Sequence, residues 1–69
     1  MTELPVAAVD RIIRRSGGQR VSESAAKELA EVLEEYALDI AKEATSLAEH
    51  AGRKTVRDTD VRLALRRKE

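Results

Sequence analysis

The sequence predicts an all-α fold in which a long central helix lies between two short ones and a second chain completes the structure. Three observations lead there. Residues 22–51 run for thirty positions without a proline or a glycine. Gly17-Gly18 and Gly52 close apolar-periodic stretches, as residues that tolerate a left-handed cap do. The third is a matter of length. Thirty helical residues extend ~45 Å. A compact chain of 69 residues has a radius of gyration near ~11 Å, a sphere roughly 28 Å across. The central apolar stripe runs its whole length, so the rod outgrows its own chain and pairing with another is obligate.

The first helix is expected over about 4–15. Pro5 suits a first helical position, where its missing N–H has no partner to lose. Val6, Val9 and Ile13 follow at helical spacing, with Ile12 widening the stripe. Ser22 is a good N-cap for the second helix, expected over about 22–51, and Glu23 suits the positive end of its dipole. Leu29, Leu33, Tyr36, Ile40, Ala44, Leu47 and Ala51 repeat at intervals of three and four. Beside them runs a row of small residues, Ala26, Ala30, Ala37, Ala41 and Ala48, that admits another helix closely. The third helix is expected over about 57–67, with Val61, Ala64 and Leu65 inward. Gln19-Arg20-Val21 and Lys54-Thr55-Val56 connect the helices as brief loops or extended stretches. Residues 1–69 make one small domain.

Composition narrows the function. A domain this short buries only about 60% of its unfolded surface, and without cysteine no disulfide or thiolate metal site can staple it. Eleven of the apolar residues are alanine and Tyr36 is the only aromatic, which again favours oligomerisation as the remedy for a thin core. The single histidine, His50, and the absence of a Gly-rich phosphate loop or a metal-ligand cluster argue against an enzyme. No cofactor, metal or small-molecule substrate is expected. No apolar run is long enough to span a membrane, and none at the start reads as a signal peptide, so a cytoplasmic location is expected.

Thirteen basic residues balance thirteen acidic ones, yet the charge is sorted. Residues 1–21 carry +2, residues 22–51 carry −6, and residues 52–69 carry +4. The loops concentrate Arg20, Arg53 and Lys54 away from acids in sequence. A basic rim of this kind suits a polyanion, where phosphate neutralisation supplies affinity. With almost no aromatic surface for stacking on unpaired bases, duplex DNA is the better ligand.

Several segments resemble the archaeal histones: Glu3-Leu4-Pro5 with Arg11-Ile12-Ile13, then Arg20-Val21-Ser22, and above all Ala51 through Val61 (AGRKTVRDTDV). The last stretch also resembles the end of nucleosomal histone H4. His50 with Arg53-Lys54-Thr55 and Asp60 at this spacing is the most specific part, and the resemblance covers essentially the whole chain. It implies a histone fold (short helix, loop, long helix, loop, short helix) and a head-to-tail handshake dimer. In that dimer the first loop of one chain lies beside the second loop of the other. It also implies non-sequence-specific wrapping and compaction of double-stranded DNA, on which dimers stack into larger chromatin-like, nucleoid-associated assemblies. Arginine insertion into inward-facing minor grooves is the known habit of histones.

The resemblance also implies roles. Arg20 enters the minor groove, with Thr55 of the partner's loop holding it; Lys54 and Arg11 meet phosphates; Arg14 and Arg15 are weaker candidates. The helix starts at Pro5-Val6 and Ser22 offer backbone N–H groups to phosphate. Arg53 and Asp60 form a clamp across the second loop, a fork on a carboxylate, which fixes the third helix and makes DNA contact a secondary role of Arg53. Leu47, His50 and Asp60 match the patch that joins one dimer to the next, where either protonation state of the imidazole has a hydrogen for the carboxylate. Between successive turns of a DNA superhelix, Glu31 and Glu35 would meet Arg62 and Arg66, each pair four apart on one helical face, with Gly17 allowing close approach.

The sequence departs from the resemblance in three respects. It lacks a basic surplus, Ala8 stands where a second proline is common, and Glu69 ends a tail that is usually more basic. Zero net charge keeps a second reading open. In it the chain is a histone-fold component that heterodimerises within a transcription-factor-type complex and has little DNA binding of its own.

Overall fold

A computed structural model describes residues 3–68. Among them are three helices and no strand: α1 (Val6–Arg15), α2 (Glu23–His50) and α3 (Asp58–Lys68). Both connections are loops, loop 1 over 16–22 and loop 2 over 51–57.

Local chemistry sets each helix end. Pro5 lies one position outside α1 as its N-cap, in extended backbone with φ −65° and ψ 115°. Its carbonyl accepts the N–H groups of Ala8 (3.1 Å) and Val9 (3.3 Å), so α1 begins at Val6 rather than near residue 4. Glu23 begins α2, capped by Ser22, whose Oγ accepts the Ala25 N–H at 3.1 Å. Arg57 precedes α3, and its carbonyl accepts the N–H groups of Asp60 and Val61. Acids in the first turn of α3 (Asp58, Asp60) and bases in its last (Arg66, Arg67, Lys68) complement the helix dipole.

The chain forms two compact units, one ending at Glu35 and the other starting at Tyr36. In the first, Val9, Ala26 and Ala30 are buried. A groove there is lined by Val6, Ala7 and Asp10 of α1 and by Val21, Ser22, Glu23 and Ala26. The Glu3 N–H donates to Glu34 Oε2 at 3.1 Å. In the second unit, Ile40, Ala44 and Ala64 form the core with Leu47 against them. There Arg67 Nη1 donates to Glu43 Oε1 at 2.7 Å, tying α3 to α2.

Alanine builds these interiors. Among the described residues, five of the seven buried apolar ones are alanines, and no large side chain is fully buried. Ile12, Val32, Tyr36, Leu38, Val56, Val61, Leu63 and Leu65 remain 38–54% exposed. Helical spacing puts Ile12, Tyr36, Val61 and Leu65 inside, yet their own chain leaves them bare. The methyl side chains bring the helices close, and the bulkier residues lie off that line of contact.

Candidate nucleic-acid interface

Loop 2 is tied at both ends and in the middle. α2 ends in a left-handed cap at Gly52 (φ 73°). The Gly52 N–H donates to the Glu49 carbonyl and the Arg53 N–H to the Ala48 carbonyl, both at 2.9 Å, the doubly bonded pattern that glycine permits. The Arg53 guanidinium then forks onto Asp60, Nη1 to Oδ2 at 2.9 Å and Nη2 to Oδ1 at 2.8 Å. The same Nη1 also reaches the Thr55 carbonyl at 3.1 Å. Asp60 Oδ2 accepts the backbone N–H of Arg57 at 2.8 Å, so the third residue of α3 reaches back to its N-cap as in a capping box.

This node is buried on the acidic side, where Asp60 is only 5% exposed. Its hydrogen bonds from the Arg53 fork, and then from the Arg57 N–H, hold its carboxyl down to about 2 against the ordinary 3.8, outweighing the desolvation that opposes them. The hydrogen bond to Asp60 in turn raises Arg53 above its ordinary value. The structure thus brings Arg53 and Asp60 together and leaves the side chains of Lys54, Thr55 and Arg57 exposed around them.

Loop 1 opens with the same device. Gly17 has φ 112°, its N–H meets the Arg14 carbonyl and the Gly18 N–H meets the Ile13 carbonyl. Arg14 braces this loop from within the chain: Nε faces both oxygens of Asp10 (3.2 and 3.3 Å) and Nη1 donates to the Gln19 carbonyl at 3.3 Å. Arg20 is exposed and has no ion-pair partner among the described residues.

Intrachain pairing therefore sorts the cations. Arg14, Lys27, Arg53, Arg62 and Arg67 are each held by a carboxylate. Arg11 and Arg15 on α1, Arg20 in loop 1, Lys54 and Arg57 in loop 2, and Arg66 and Lys68 at the end of α3 are exposed without one among the described residues, as is Lys42 on α2. Sequence reasoning ranks Arg14 with the DNA contacts and passes over Arg57. The signal for the first is in the spacing, because Asp10–Arg14 matches Glu23–Lys27 and Asp58–Arg62 as pairs four apart.

Leu47 is half-buried and His50 exposed; the ring's Nδ1–H donates to the Ser46 carbonyl at 2.8 Å. Leu63, one turn beyond Asp60 and 44% exposed, adds an apolar group that the sequence does not single out. Glu31 and Glu35 are exposed and unpaired among the described residues. Arg62 is bonded to Asp58 at 2.9 Å, whereas Arg66 has no such bond among the described residues. No group of three metal-ligating side chains occurs among the described residues, and no helix there is long and apolar enough to cross a membrane.

Short, long and short helices with unpaired cations on the first helix and in both loops define a class: a histone-fold protein built for a polyanion. The family described as "Histone-like transcription factor (CBF/NF-Y) and archaeal histone" matches residues 2–65. An archaeal histone HAN1 subunit of Thermococcus zilligii is 62% identical over 66 residues, 96% of this chain and 98% of that protein. Probable archaeal histone 3 of Methanocaldococcus jannaschii is 58% identical over the same shares. Histone H4 of Dictyostelium discoideum is 37% identical over 60 residues, 87% of this chain and 56% of that protein. The chain belongs to this archaeal histone family and has its fold; it is a DNA-binding chromatin protein and not an enzyme.

Proposed function

We propose that two chains pair in a head-to-tail handshake, that the pair grips duplex DNA by its backbone with little regard to sequence, and that further pairs stack along the wrapped duplex. The observation that carries the reading is the set of unpaired cations on α1 and in both loops: Arg11, Arg15, Arg20, Lys54 and Arg57. Among the described residues, free acids lie almost wholly on α2, where Glu28, Glu31, Glu35, Asp39 and Glu49 are exposed and unpaired. Pairing of chains is supported by the bare Val32, Tyr36, Val61 and Leu65. Fully burying one such side chain from water is worth about 1.5–3 kcal/mol, so covering the exposed half of these four adds about 3–6 kcal/mol to a core made mostly of alanines.

Within this reading Arg20 enters the minor groove beside Thr55 of the partner chain, and Arg11 and Lys54 neutralise phosphates. Leu47, His50, Leu63 and Asp60 join one pair to the next. His50 Nδ1 lies 2.8 Å from the Ser46 carbonyl, which leaves Nε2 as the ring atom to face a carboxylate of the next pair. Asp60 Oδ2 already accepts two hydrogen bonds and Oδ1 one, so a neighbouring His50 would come to Oδ1. Between superhelical turns, Glu31 and Glu35 would meet Arg66 more readily than Arg62, which Asp58 holds; at Gly17 the positive φ already accounts for the glycine.

Fluorescence anisotropy on mixed-sequence duplex across a salt series tests the reading. The logarithm of the binding constant should fall with the logarithm of salt at about −0.9 per phosphate neutralised. A flat line, or absence of binding by the chain alone, sinks it. The second outcome would favour pairing with a different chain. Zero net charge supports that alternative too, as does a relative whose name makes it one component of a histone.

A further inference from the structure

We propose that Arg57 is a phosphate-binding residue of loop 2 alongside Lys54, and that Arg53, the other arginine of that loop, contributes no charge to the DNA interface. The proposal rests on the reading that the chain binds duplex DNA through its backbone. It follows from how one carboxylate divides the work of the loop. Asp60 takes both Nη groups of Arg53, whose side chain is left 24% exposed. Its positive charge is matched at 2.8–2.9 Å, and Nη1 is further engaged by the Thr55 carbonyl. Releasing Arg53 to a phosphate would strand a buried anion, and breaking such a pair by removing one partner is strongly unfavourable.

Arg57 is held by the same carboxylate in the opposite sense. Its backbone N–H is fixed by Asp60 Oδ2 at 2.8 Å, while its side chain is exposed and has no carboxylate partner among the described residues. Loop 2 is thus strung inward at Arg53, at the Thr55 carbonyl and at the Arg57 N–H. Its outward cations are Lys54 and Arg57, three residues apart. An arginine on a pre-set backbone position presents a planar fork that suits a phosphate, and no loop ordering remains to be done when DNA arrives. Asp60 acts here as a positioning residue: it aims the loop through Arg53 and Arg57 without meeting DNA.

Salt-dependent binding separates the two arginines, because the slope counts neutralised phosphates whereas loop integrity changes affinity at every salt alike. Arg57→Gln should flatten the slope by about 0.9 per chain, or about 1.8 per dimer, equally on two duplexes of unrelated sequence, and Arg57→Lys should restore it. Arg53→Gln should lower thermal stability and leave the slope as in the unmodified protein. If that variant does not fold, NMR of the guanidinium groups in the unmodified protein decides: on titration with a short duplex the Arg57 signals should shift and those of Arg53 should stay in place, and a shift of Arg53 as large as that of Arg57 overturns the proposal. An Arg57→Gln slope equal to that of the unmodified chain overturns the proposal, as does a flattening of similar size on losing Arg53. Either result leaves DNA binding itself intact, whereas a flat salt dependence of the unmodified protein removes both.

Discussion

Asp60 accepts three hydrogen bonds on two oxygens while almost wholly out of water, and its chemistry gives a direct prediction in acid. Its carboxyl is held at about 2, below the ordinary 3.8, so the folded state binds the proton less readily than the unfolded chain. The stability this contributes is complete above the ordinary carboxylate range and is lost as pH falls through about 2. Asp60→Asn should therefore lie below the unmodified protein in urea midpoint at neutral pH, and the gap should close on descending toward pH 2. A gap that persists unchanged in acid would mean that the ionised carboxylate is not what holds loop 2. Gly52 gives a second test: with φ 73° and open space around a built Cβ, Gly52→Ala should cost about 1 kcal/mol through backbone conformation alone.

At the scale of the helices, Ser22 and Tyr36 probe the cap and the seam of α2. Ser22→Ala removes the acceptor of the Ala25 N–H and should cost about 1 kcal/mol in thermal or denaturant unfolding. Tyr36, 53% exposed, should become buried on pairing. Tyr36→Asp should leave a chain that fails to dimerise in sedimentation equilibrium, and a dimer of undiminished strength would count against α2 as the seam. These elements are readable from sequence because their causes are local: a serine before a helix, a glycine after one, apolar residues at three and four. Pro5 misleads by a single position, since its φ fits both the cap and the first helical residue. The division of apolar residues between the chain's own core and its bare surface is not readable. Ile12 and Ala30 occupy equally good positions in the repeat, and only packing separates 52% exposure from none. The same holds for the site. Arg53 and Asp60 are readable as a pair, but the reach of Asp60 to the Arg57 backbone depends on a turn geometry that residue types do not encode.

For the molecule as a whole, the balance of charges hides a division of labour. Five cations are held by carboxylates and the exposed remainder lies mostly off α2, so a chain of zero net charge still presents a field that a polyanion feels. Long-range steering between exposed charges fades over about 10 Å at 0.1 M salt, and association with DNA should slow sharply between low and moderate salt in stopped-flow measurements. Assembly beyond the pair has its own signature. His50→Ala should leave the dimer folded but shorten the ladder of protected lengths in nuclease digestion, and a full ladder would argue for a contact made by Leu47 and Leu63 alone.

An interior made of methyl groups also bears on the life of the protein before it meets DNA. A newly made chain has little of its own to hold it shut, so refolding rates should depend on protein concentration, with acquisition of structure and encounter a single bimolecular event. A copy left without a companion should therefore be cut far faster than a paired one in limited proteolysis, and equal rates at high and low protein concentration would count against this.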